Sequence, residues 1–153
     1  MIHEIISESV HKTRNLAVRL SKIINAQRIF ALYGDLGAGK TEFVRGFVSG
    51  LETSEDVVTS PTFMLWNLYE VRDFSVNHLD LYRLGSIDEI IELGILDVCN
   101  APVNFTLIEW AEKIDSILPA DAIKIYFEHI DENSRIIKIN DINNEFQNKL
   151  NIK

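Results

Sequence analysis

The residues Gly34-Asp35-Leu36-Gly37-Ala38-Gly39-Lys40-Thr41 set two glycines, a lysine and a hydroxyl at the spacing of a P-loop. A polyphosphate carries several negative charges that must be held and then released. Glycines let main-chain N–H groups come close to phosphate oxygens. A helix starting near Lys40 would add its positive dipole end. Lys40 would reach the β- and γ-phosphates as a mobile point charge, and Thr41 would offer its hydroxyl to Mg²⁺. The main chain from Asp35 through Leu36, Gly37, Ala38 and Gly39 to Glu42 would wrap the phosphates. The expected ligand is ATP or its product ADP, with Mg²⁺.

Such a site also needs a carboxylate on the metal side, placed at the end of a buried strand beside the P-loop strand. Two residues qualify. Glu109 closes the apolar run 103–108, and Asp80 closes the run 76–79. A carboxylate ending an apolar run is costly to bury alone, so a metal or cation partner is expected. Thr62, after the break Ser60-Pro61, could meet the γ-phosphate or the metal as a switch-loop hydroxyl, or could bond its own turn. Trp110 could cover the base or simply pack at the rim.

The elements that must position these residues follow from periodicity. Residues 7–24 read as an amphipathic helix capped by Ser7 or Ser9, with Val10, Ala17, Leu20 and Ile24 on one side. Residues 28–33 read as a buried strand, and 40–50 as a helix stopped by Gly50. Residues 63–71 and 76–81 read as two paired strands around a turn at 72–75. Residues 86–100 read as a helix with a capping pattern from Ser86 to Glu89 and an interruption at Gly94. A strand at 103–110, a short helix at 111–118 ended by Pro119, and a hairpin of 123–127 with 136–139 follow. Residues 143–153 read as a weak polar helix or frayed tail.

The chain has 153 residues, 46% apolar and 25% charged, read as one α/β domain from 1 to 153. Its formal net charge of −8 argues against a free-standing nucleic-acid binder, DNA included. Cys99, the lone cysteine, excludes an intrachain disulfide and reads as an apolar filler in a reducing cytoplasm. No signal peptide and no membrane-spanning run appear. The four histidines are scattered, without zinc spacing.

Taken in order, the motifs resemble the TsaE (YjeE) family, bacterial ATPases of tRNA threonylcarbamoyladenosine synthesis. The resemblance rests on Gly34 to Thr41, Ser60-Pro61-Thr62-Phe63, His78-Leu79-Asp80-Leu81-Tyr82-Arg83-Leu84, Glu92-Leu93-Gly94, Ile108-Glu109-Trp110 and Leu118-Pro119. It covers nearly the whole chain. It implies a three-layer P-loop NTPase domain with a mixed sheet, parallel at its centre and antiparallel at its periphery. It also implies weak ATPase activity alone and action in a complex with the TsaB and TsaD proteins, tRNA being reached only through that complex. Carried over, Lys40 binds phosphate, and Thr41 and Glu109 stand as metal-side ligands. Asp80 is a second acidic site residue, Thr62 a switch residue, and Trp110 lies near the nucleotide. Glu42 departs from the family's usual Thr or Ser and places a negative charge beside the phosphates. Met64, Trp66 and Leu68 depart from the residues common after the switch.

Two other readings compete. A small-molecule kinase on this fold would carry an arginine-rich lid, whereas the seven arginines here are dispersed. A non-catalytic switch, in which nucleotide state sets partner affinity, overlaps with the first reading. The chain shows no obvious arginine finger, although Arg83 lies close to Asp80 in sequence.

Overall fold

The computed structural model describes residues 1–24, 28–51, 58, 65–100, 103–140 and 145–150. Seven strands form one sheet: β1 (Ile2–Ser7), β2 (Arg28–Tyr33), β3 (Trp66–Val71), β4 (Phe74–Asp80), β5 (Phe105–Glu109), β6 (Ile123–His129) and β7 (Arg135–Asn140). Their spatial order is β1-β7-β6-β2-β5-β4-β3. Strands β6, β2, β5 and β4 run parallel, while β3, β7 and β1 join antiparallel at the flanks. The mixed sheet expected from the resemblance is therefore present.

Side chains alternate across the sheet as the pleat requires. Phe30 and Leu32 of β2 and Leu107 of β5 enter a core shared with α1 (Val10–Ile23) and α2 (Lys40–Gly50). Ala31, Tyr33 and Ile108 face the opposite core, which holds Ile90 of α3 (Ile87–Glu92), Ile95 and Cys99 of α4 (Ile95–Asn100), and Ile114. Both faces are covered, so the central strands read as continuous apolar runs. Phe30, Phe47 and Phe105 pack ring against ring beneath the helices, with centroids 4.9 to 6.5 Å apart. Cys99 is buried, and burial pushes its thiol up to about 11, in keeping with a filler role.

The structure changes several expected boundaries. The first helix begins at Val10, not Ser7, because 2–7 is a strand paired with β7. Ser9 is the cap, its side chain accepting from the Lys12 amide at 3.1 Å. Ser7 instead ends β1 and shares a hydrogen bond of 2.8 Å with the Thr13 hydroxyl. Strand β1 hides His3 and Ser7 while Ile2 and Ile6 stay exposed, so its apolar residues give no legible period. The helix expected over 86–100 is two helices. Gly94 adopts φ +75, a left-handed geometry that ends the first before the second begins. Residues 111–117 form a 3₁₀ helix instead of an α-helix. The tail carries a short helix, α5 (Glu145–Leu150), which is not purely polar in its packing: Phe146 and Leu150 are buried against the core. Among the described residues, no helix is long and apolar enough to cross a membrane.

Candidate functional site

The carboxyl ends of β2, β5 and β4 point to one edge of the sheet, because these strands are parallel. Open α/β sheets bind ligands in the crevice outside such ends. Strand β2 feeds the 34–41 turn, β5 ends at Glu109, and β4 ends at Asp80. Asp80 and Glu109 are Cα partners in the β4–β5 register. Against the expectation that both strands flank β2, β5 lies beside it but β4 lies one strand further out. Asp80 reaches the site across β5, not from the strand beside β2.

These ends open on a cavity of about 430 Å³. Leu36, Gly37, Gly39, Lys40, Thr41 and Glu42 line one side. Asp80, Glu109 and Trp110 line the other. Asp35 and Ala38 do not line it: the Asp35 carbonyl accepts from the Ala38 amide at 3.1 Å, which closes the turn from behind. Thr62 lies outside the described residues.

The turn is shaped by backbone that side chains rarely adopt. Gly39, the N-cap of α2, sits at φ +109, and a Cβ there would stand 2.3 Å from an Arg135 guanidinium nitrogen. Glycine alone adopts that φ without strain. Trp110 holds φ +60 without being glycine, a conformation that marks functional turns when the surroundings enforce it. It turns the chain sharply out of β5, so that its indole lies over Lys40, with Nζ 4.1 Å from the ring centroid. The Tyr82 ring packs on the same indole at 4.9 Å between centroids.

Lys40 is buried, and its ammonium donates to the Gly34 carbonyl and, at 2.9 Å, to the Asp35 carbonyl. Burial pulls its pKa down, while Glu109, Glu112, Asp80 and Asp35 act in the opposite direction. Asp80 is shifted up, first by burial, against a hydrogen bond from the Tyr82 amide and with reinforcement from Glu109. The Thr41 hydroxyl sits 2.9 and 3.0 Å from the two oxygens of Glu109. Glu42 is gripped by Arg14, whose Nε donates at 2.7 Å, with Arg45 at 3.4 Å from its other oxygen. Its negative charge is thus met by two guanidinium groups at the rim.

Two neighbours had no role assigned from sequence. His78 is fully buried and its Nε2 lies 2.7 Å from Glu109. Arg135, at the start of β7, is buried, lines the cavity, and has an Nε with no hydrogen-bond partner among the described residues. His78 was visible only as a motif letter. Arg135 is brought in by the 130–134 turn, and no local spacing could have placed it. Arg83, adjacent in sequence to the Asp80 motif, also lines the cavity.

The donor set fits a magnesium-bound polyphosphate. Two buried cations, Lys40 and Arg135, line a cavity on the same side as the turn's main chain, and Lys40 spends its hydrogen bonds on carbonyls. Among the described residues there is no group of three or more His, Cys, Asp or Glu able to hold a metal. Magnesium usually takes only one or two protein carboxylates and completes its shell with phosphate and water. Thr41 with Glu109, 2.9 and 3.0 Å apart, would make such an incomplete set.

A family model described as threonylcarbamoyl adenosine biosynthesis protein TsaE matches residues 7–137. A protein of Rickettsia felis (strain ATCC VR-1525 / URRWXCal2), named tRNA threonylcarbamoyladenosine biosynthesis protein TsaE, is 38% identical over 135 residues, covering 88% of this chain and 78% of its own. A protein of the same name from Aquifex aeolicus (strain VF5) is 36% identical over 142 residues, covering 91% and 96%. The crystal structure of Bacillus subtilis YdiB superposes with a TM-score of 0.73, at 24% identity, over 99% of this chain and 93% of that one. That last likeness concerns the fold.

Proposed function

Because this chain belongs to the TsaE family of threonylcarbamoyl adenosine biosynthesis proteins, we propose that it is a P-loop ATPase of weak intrinsic activity. It would support threonylcarbamoylation of adenosine 37 in tRNA, in the cytoplasm and together with TsaB and TsaD. The observation that carries this reading is the meeting of Lys40 and Thr41 with Glu109 and Asp80 around one cavity.

In this reading the 34–41 main chain and Lys40 hold the β- and γ-phosphates, and Arg135 faces the same anion. Thr41 and Glu109 hold Mg²⁺, whose role when bound is to neutralise charge on the phosphate oxygens. Asp80, whose pKa is raised first by burial, orients water near the γ-phosphate through hydrogen bonds. Trp110 gives up Lys40 to the incoming phosphate and packs beside the nucleotide. The Arg14 and Arg45 contacts to Glu42 keep that carboxylate from repelling the phosphates.

Reconstitution with TsaB, TsaD and tRNA tests this. Lys40→Ala should abolish both ATP turnover and tRNA modification. Glu109→Ala should abolish turnover and modification together. Loss of hydrolysis with modification intact in Glu109→Ala would leave a nucleotide-dependent switch and remove the ATPase reading.

A further inference from the structure

Glu109 is tied to the outer hairpin of the sheet by a buried polar chain. His78 Nε2 is 2.7 Å from Glu109 Oε1, and His78 Nδ1 is 3.2 Å from the Tyr69 hydroxyl. Asn67 Nδ2 donates to that same hydroxyl at 3.3 Å. The register explains why these groups meet: His78 opposes Leu107 and Asn67, so it reaches Glu109 and Tyr69 along diagonals on one face of the sheet. An ionised carboxylate only accepts. Nε2 then carries a hydrogen toward Glu109; in the neutral imidazole Nδ1 accepts and the tyrosine hydroxyl donates to it. Contacts on both ring nitrogens hold the imidazole in one orientation.

We propose that His78 is a positioning residue: clamped by Tyr69, it fixes the Glu109 carboxylate so that one oxygen is committed to the imidazole and the carboxylate faces Thr41 where magnesium would sit. This inference rests on the nucleotide–magnesium reading above. A group that orients a metal ligand typically changes metal affinity by about 10- to 100-fold when removed.

The test measures ATP affinity of the whole chain as a function of Mg²⁺, using a fluorescent ATP analogue, in the wild type and in His78→Phe, His78→Gln and Tyr69→Phe. His78→Phe should raise the half-saturating Mg²⁺ concentration by about 10- to 100-fold, leaving nucleotide affinity in EDTA unchanged. His78→Gln, whose amide nitrogen can donate from near the Nε2 position, should recover most of the loss. Tyr69→Phe should give a smaller rise that adds nothing to His78→Phe. Should His78→Phe fail to fold, His78→Asn takes its place, since its amide stops short of Glu109. A wild-type Mg²⁺ dependence retained in full by His78→Phe, or a glutamine variant as impaired as the phenylalanine one, overturns the inference alone. A wild type with no Mg²⁺-dependent nucleotide binding overturns the functional reading beneath it.

Discussion

Asp80 and Glu109 end adjacent parallel strands, yet their surroundings treat them differently. Glu109 is buried with three hydrogen-bonding contacts, two to Thr41 and one to His78. Asp80 is half-buried, and burial is the largest influence raising its pKa. A carboxyl group raised in the folded state binds its proton more tightly there than in the unfolded chain. The fold therefore loses stability as pH rises through that range and regains it below. Asp80→Asn should raise the Tm at pH 7, with the gain shrinking as pH falls through the carboxylate range. A loss of Tm at pH 7, or a gain that ignores pH, would contradict this. Both carboxylates were legible because a charge closing an apolar run is rare without a partner. His78 and Arg135 were not, because each reaches the site through register or a distant turn.

At the scale of elements, α1 packs against α2, the helix that continues from the 34–41 turn. The two helices meet with almost no space at Gly46, where a Cβ would fall 2.3 Å from the Arg14 carbonyl oxygen. The obstruction is backbone, so a side chain there must push the helices apart. Gly46→Ala should destabilise the protein by about 1–3 kcal/mol, the range for overpacking, read by urea denaturation. An unchanged midpoint would show that the contact yields freely. Most elements were readable from period and punctuation: β2, α2 and the β6–β7 hairpin have clean patterns. Strand β1 was missed because it buries His3 and Ser7 and exposes Ile2 and Ile6. The split of the 86–100 helix hinged on Gly94, whose left-handed φ shows only in three dimensions.

For the molecule as a whole, the mixed sheet follows from the family resemblance, since strand order depends on contacts between residues far apart in the chain. Composition contributes the charge. A net charge of −8 leaves little attraction for a polyanion. The isolated protein should bind free tRNA only weakly at physiological salt; tight binding with a steep salt dependence would contradict a route through partners. The described cavity of about 430 Å³ is lined by the turn, the strand ends and Arg135. The most direct measurement is a calorimetric titration of ATP into the wild type and Lys40→Ala, with Mg²⁺ and with EDTA. The wild type should bind one ATP per chain, more tightly with Mg²⁺, and Lys40→Ala should give no binding heat. No heat from the wild type, or an unaltered isotherm from Lys40→Ala, would contradict the claim that the 34–41 turn holds a polyphosphate.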